Sequence, residues 1–383
     1  MAGVYVHIPF CRQACHYCDF HFSTTLKGMD DMVDGLVQEA RLRVQGSERW
    51  AGLDWSTLYL GGGTPSLLTP EQLARLMEGL ATGLGLNSLQ EVTLEANPED
   101  LSEANILAWK SLGIERLSVG IQSFHDETLD WMNRAHQGEE AARGIELAHA
   151  LGIRAISADL IYGVPTKRSW QADVERAMRL PIQHLSAYSL TVEHQTVLGH
   201  RVAKGLQQEA PDERVRLEYD LLCQAMAERE WAHYETSNWA APDGRGGHRQ
   251  ALHNSAYWAG TPYLGLGPGA HGFDGETRYA NVSNNPMYLR HVQDGALREE
   301  RDALRPSDRY NEALMTGLRT AKGIHPETLA AAWGRSPIHD DAATWHRCVD
   351  AGTLVALDDG WWRVPEEHWL IGDQVSGSLF WVG

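Results

Sequence analysis

Three cysteines fall within eight residues, in Phe10-Cys11-Arg12-Gln13-Ala14-Cys15-His16-Tyr17-Cys18. Their spacing is C-x3-C-x2-C. Thiolates this close in sequence converge on a metal rather than on one another, and they are the natural ligands of iron–sulfur clusters. Three thiolates on a four-iron cluster leave one iron without a protein ligand. That open iron can accept the amino and carboxylate groups of S-adenosylmethionine, and an electron from the cluster can break the sulfonium C–S bond to release a 5′-deoxyadenosyl radical. Spacing alone also admits a zinc site completed by His16 or His21. The two remaining cysteines, Cys223 and Cys348, lie in helical patterns and read as buried small apolar residues.

The elements that must position this chemistry alternate between β-rich runs and helical periodicity. Val4–Ile8 reads as a strand, and Asp31–Val44 as a helix with Val33, Leu36, Val37 and Ala40 on one face. Strands are predicted at Thr57–Leu60, Glu91–Glu95, Ile114–Val119 and Ile153–Ile161. Between them, Thr69-Pro70 caps a helix, and Ser102–Leu112 and Glu139–Leu151 are helices stopped by Gly113 and Gly152. Ser169–Leu180 and His184–Thr191 complete a sixth unit. This order predicts an α/β fold with a parallel sheet, a partial (β/α)6 TIM-type barrel. Successive strands are followed by the cysteines, by Gly61-Gly62-Gly63-Thr64, by Glu95, by Gln122 and by Asp159. Chemistry in such barrels collects at the C-terminal strand ends, so these residues read as one site.

Past Thr191 the pattern loosens. Pro211–Glu230 reads as a long charged helix, Trp231–Trp239 as a strand, and the stretch from Pro242 to Asn285 as loop-dominated. After Pro306, helical stretches at Asp308–Thr320, Pro326–Trp333 and Asp340–Asp350 precede a hairpin turning at Asp358-Asp359-Gly360. The expected division is a barrel over 1–230, a loop-rich extension over 231–300, and a small α+β, winged-helix-like domain over 301–383.

Composition narrows the partners. Against 33 basic residues stand 51 acidic ones, a net charge of −18. An acidic surface repels phosphate backbones, so nucleic acid is not an expected partner. No apolar run approaches the ~18 residues of a membrane span, and Met1–Pro9 has no signal-peptide pattern. A cytoplasmic protein is expected, with peripheral membrane contact and a homodimer left open.

The motifs occur in a telling order: Tyr5-Val6-His7-Ile8-Pro9-Phe10, the cysteines, Gly61-Gly62-Gly63-Thr64-Pro65, Glu95-Ala96-Asn97-Pro98, Ser118-Val119-Gly120-Ile121-Gln122-Ser123-Phe124 and Asp159-Leu160-Ile161-Tyr162-Gly163. Here the chain resembles the radical-SAM superfamily. Within it, the likeness is to the branch of HemN, the oxygen-independent coproporphyrinogen III oxidase, and HemW, a heme chaperone. The resemblance implies a [4Fe–4S] cluster on Cys11, Cys15 and Cys18, with Tyr5 and the Gly62, Gly63 and Thr64 loop contacting S-adenosylmethionine. It makes Glu95 a ribose or amino-group partner and Tyr17 the aromatic beside the ligand. Gln122, Arg134 and Asp159 match positions that the oxidase uses around its two S-adenosylmethionine molecules.

Two features separate the branches. The oxidase carries a further cysteine two positions after the third, where this chain has Phe20. In addition, His253-Asn254-Ser255-Ala256-Tyr257-Trp258 reproduces the H-N-x-x-Y-W motif of the chaperone type. An imidazole is a good axial ligand for heme iron, and in a helix His253 and Tyr257 would share a face. The resemblance therefore implies heme as a further cofactor, with His253 as its ligand and His233, His248 and His271 as substitutes. An acceptor hemoprotein is the implied partner. The alternative is porphyrinogen decarboxylation, which the same two features disfavour; whether the ligand is reductively cleaved in either role stays open.

Overall fold

The computed structural model describes residues 2–382. Six strands form its centre: β1 (Ala2–Ile8), β2 (Trp55–Gly62), β3 (Glu91–Ala96), β4 (Arg116–Gln122), β5 (Ala155–Tyr162) and β6 (His184–Ser189). Each pairs in parallel with the next in chain order. Parallel neighbours need crossovers, supplied by α1 (Met29–Gln45), α2 (Pro70–Leu84), α3 (Glu103–Ser111), α4 (Asp126–Met132), α5 (Gly138–Ala150) and α6 (Trp170–Ala177). Val33, Leu36, Val37 and Ala40 of α1 are buried, as their spacing requires. The helix–glycine–strand junctions close as expected, with the Ile114 amide donating to the Trp109 carbonyl and that of Ile153 to Ala148.

The sheet continues beyond these six strands on both sides. After α7 (Val197–Ala203) and α8 (Asp212–Ala227) come β7 (Ala232–Glu235) and β8 (Asn238–Ala240), a hairpin in which β8 pairs antiparallel with β6. The single strand expected over 231–239 is thus two, broken by a turn at Thr236-Ser237. The chain then forms α9 (Leu252–Trp258) and places β9 (Tyr263–Leu266) parallel to β1. β10 (His271–Phe273), β11 (Thr277–Asn281) and, after α10 (Asn285–Gln293), β12 (Glu299–Ala303) follow antiparallel. Loop texture was expected over 242–285. Its strands are three to five residues long and interrupted by glycine, too short to display an alternating pattern. Twelve strands therefore make one sheet ending at β12 and β7, and the barrel is partial.

A buried polar knot fixes the β9–β12 side to α1. Arg43 pairs with Glu39 and Glu299, while Glu39 also accepts from the Gly267 amide and from Asn281 and Tyr288. The C-terminal segment is helical, with α11 (Pro306–Leu318), α12 (Pro326–Trp333), α13 (Pro337–Asp340) and α14 (Ala342–Asp350). A two-stranded hairpin of β13 (Val355–Ala356) and β14 (Trp362–Arg363) follows, then α15 (Gly372–Ser378). Tyr310, Leu314 and Trp345 of this segment join the same contiguous apolar core as the barrel strands. Among the described residues, no helix is long and apolar enough to cross a membrane.

Candidate functional site

The cysteines leave the C-terminal end of β1 in a loop held at several points. Cys11 donates its amide to Ser23, whose own amide returns to Pro9, and the Cys18 amide reaches the Cys15 carbonyl. From the side, α4 grips the loop: Asn133 donates to the Ala14 carbonyl at 2.7 Å and the His16 amide donates to Met132. All three thiols are free. Burial pushes the Cys11 thiol up and that of Cys18 to about 12, so a metal must displace protons that the apoprotein keeps. Hydrogen-bond donors already face two of the sulfurs, the Thr64 hydroxyl toward Cys11 and the Arg134 guanidinium toward Cys15, each at 3.5 Å.

Each histidine that could complete a zinc site has one ring nitrogen bonded elsewhere. His16 Nδ1 lies 2.9 Å from the Trp131 carbonyl, and His21 Nε2 lies 2.7 Å from Asn285. Among the described residues, no three His, Cys, Asp or Glu ligands in this loop gather within 4.8 Å, as one ion would require. The donor set fits a larger cluster with sulfides of its own.

A cavity of about 580 Å³ opens beside the cysteines and runs down inside the barrel. Tyr5, Cys11, Cys15, Tyr17, Cys18, Gly62, Gly63, Thr64, Glu95, Gln122, Arg134, Asp159 and His253 all line it, so the residues singled out from sequence share one space. That volume suits a ligand of cofactor size. At its upper rim, Gly62 has φ +111°, and a Cβ there would meet the His7 ring at 2.5 Å. Only glycine fits this approach. Glu95 clamps the glycine loop, accepting from the Gly62 amide at 3.0 Å and from the Tyr59 hydroxyl at 2.8 Å. Burial pushes the Glu95 carboxyl up to about 7 and that of Asp159, which accepts from Ser118, to about 6. Arg134 donates to Asn97 at 2.7 Å and to the Gly120 carbonyl at 2.8 Å. Gln122 has φ +68° at a register shift between β4 and β5, a conformation that costs a non-glycine residue. The site thus presents thiols, a cation and two carboxyls of raised pKa to one ligand space.

At the other end, α9 forms the floor of the barrel. His253 packs under the first residues of β1 and β2, where a side chain at Gly3 would collide with Thr57 and with the His253 ring. One ring nitrogen meets Thr57 at 2.7 Å and the other meets Tyr257 at 2.9 Å, while the ring stacks on Tyr59. The shared helix face expected of His253 and Tyr257 is present, yet its bonds are internal. His253 is 3% exposed, and burial lowers its pKa to about 3. As placed, neither ring nitrogen is free. Trp258 does not line the cavity; its ring lies instead beneath Arg319 of the C-terminal segment.

Residues 5–177 match the family described as the Radical SAM superfamily. A heme chaperone HemW of Bacillus subtilis is 33% identical over 341 residues, covering 88% of both chains. The Escherichia coli protein of the same description is 34% identical over 83% of this chain and 82% of its own. The chain belongs to the HemW branch of the radical SAM superfamily. Its fold is also that of Escherichia coli coproporphyrinogen III oxidase, HemN, with a TM-score of 0.81 at 22% identity, over 99% of this chain and 90% of that one.

Within this HemW-branch site, sequence reasoning missed several residues that complete it. Tyr59 and Ser118 hold the two carboxyls, Asn97 and Asn133 hold Arg134 and the loop, and Arg116 bonds to Ser157 deep in the cavity. Period-2 alternation supplied a signal for the strand residues, because Tyr59 faces the same side as Tyr5 across the parallel pair. Asn133 had none, since its role depends on a seven-residue helix whose few apolar positions make no periodic face.

Proposed function

We propose that this chain is a heme chaperone: it carries a [4Fe–4S] cluster on Cys11, Cys15 and Cys18, takes S-adenosylmethionine at the iron they leave open, binds heme, and passes it to an acceptor hemoprotein in the cytoplasm. One observation carries the reading, the likeness over 88% of both chains to a protein described as a heme chaperone. The cluster, when bound, supplies an electron able to cleave the sulfonium ligand. The chain's own groups do the rest. Thr64 and Arg134 donate hydrogen bonds toward cysteine sulfur, which favours thiolate over thiol. Glu95 and Asp159 offer negative charge to a cationic ligand. Tyr5 and Tyr59, stacked 6.1 Å apart, give the cavity an aromatic wall. Three unpaired thiols in one loop suit a reducing compartment.

Heme on His253 would need α9 to leave the floor. His248 and His271 are the histidines of the 231–300 segment that stand exposed to solvent, and they are the ligand candidates of this conformation. Phe20, 68% exposed beside the third cysteine, stands where the oxidase would place a further thiol. The test runs two assays on one anaerobically reconstituted preparation, hemin transfer to an apo-hemoprotein and decarboxylation of coproporphyrinogen III. Transfer without decarboxylation is expected. Turnover of the porphyrinogen, with no stoichiometric hemin bound, would overturn the reading in favour of an oxidase.

A further inference from the structure

Far from the cysteine loop in sequence, Cys223 of α8, His233 of β7 and Glu366 each turn a ligand atom toward one point. These atoms all lie within 4.8 Å of one another. We infer that the three hold a zinc ion that ties the C-terminal segment to the barrel.

The chemistry of the donors comes first. A thiolate, an imidazole and a carboxylate make the mixed sulfur, nitrogen and oxygen set that zinc accepts, and the two anions balance its charge. A tetrahedral shell needs ligand separations of roughly 3.3–3.8 Å, so the His233–Glu366 contact of 2.5 Å opens on binding. Glu366, 43% exposed, can swing to provide that movement and leaves a route for the ion to enter. A water would fill the fourth position.

His233 is built to present Nδ1. Its Nδ1 donates to Glu366 at 2.5 Å, through the proton that a metal would replace, and its Nε2 faces the Thr236 carbonyl at 3.3 Å. This is the outer contact that metal-bound histidines commonly make. Trp239 stacks on the ring at 3.9 Å and Trp369 meets it edge-on at 4.2 Å, so the imidazole cannot rotate away. Both ring nitrogens face an acceptor oxygen. An imidazolium satisfies this arrangement, and a metal at Nδ1 would take the place of its proton once Glu366 swings outward. The Cys223 thiol also bonds to the Glu366 carboxylate, which brings a third kind of ligand atom to the point where the His–Glu pair already meets.

The test uses the full chain with Cys11, Cys15 and Cys18 changed to serine, so that the N-terminal thiols do not compete. Zinc is titrated against a chromophoric chelator. One zinc per chain is expected, with affinity falling about 100-fold or more on adding Cys223→Ser and about tenfold on adding Glu366→Gln. Cobalt should give a thiolate charge-transfer band that Cys223→Ser abolishes. Zinc should raise the unfolding midpoint of the parent alone, and metal-free melting curves would establish that the variants fold. Cluster-loaded wild-type protein repeats the titration should the serine background not fold. Absence of stoichiometric zinc in either preparation, or equal affinity with and without Cys223, would overturn the site and leave an ion pair beside a buried thiol.

Discussion

Glu95 shows at one residue how the site sets its charge. Desolvation raises its carboxyl to about 7, the Tyr59 hydroxyl and Gly62 amide pull the other way, and the neighbouring Asp159 adds to the rise. Between about pH 4.5 and pH 7 the folded chain therefore keeps a proton that the unfolded chain has lost. Stability from this group falls as pH rises through that window, and the penalty is complete above it. Glu95→Gln removes the ionisation. In denaturant unfolding of the cluster-free protein, the variant should gain on the parent by on the order of 1–3 kcal/mol between pH 5 and pH 8. Parallel pH profiles for the two would contradict the raised carboxyl. A strand-end glutamate was legible in the sequence, because the period of a parallel barrel brings such residues to one rim. Its clamp on the glycine loop was not, since that depends on Tyr59 across the sheet.

At the scale of elements, α9 is the instructive case. The i, i+4 relation of His253 and Tyr257 could be read from spacing, but not the direction that face would point. It points up into the barrel, because Thr57 and the space over Gly3 accept the ring. We expect His253→Ala to lower stability by about 2–4 kcal/mol, from a void and two polar groups left without partners. The neutral ring, its pKa lowered to about 3, contributes stability that is present above pH 6.5 and lost as pH falls toward that value. The variant should therefore lose less between pH 7 and pH 5 than the parent does. Unchanged stability together with collapse of hemin binding would instead make the ring a heme ligand. The short helix α4 was illegible for a related reason: seven residues give too few apolar positions for a period to show, although it holds the cysteine loop.

For the whole molecule, the six parallel units were legible because each repeats the same local grammar of strand, helix and stop. The sheet's extension was not. β9 reaches β1 across more than 250 positions, and Glu39 and Arg43, which look like a surface pair at i, i+4, are buried under β11 and β12. Long-range pairing of that kind leaves no periodic mark on a single chain. The two ends of the barrel differ, one ringed by thiols and charges, the other floored by α9. The most direct test of the account is anoxic reconstitution with iron and sulfide, followed by metal analysis and S-adenosylmethionine binding, on the parent and on Cys15→Ala. The parent should hold about four irons per chain and show a cluster spectrum that shifts when S-adenosylmethionine is added, and Cys15→Ala should lose both. Zinc that replaces iron at the N-terminal cysteines and is lost with Cys15→Ala, or a cluster whose spectrum ignores that ligand, would contradict it.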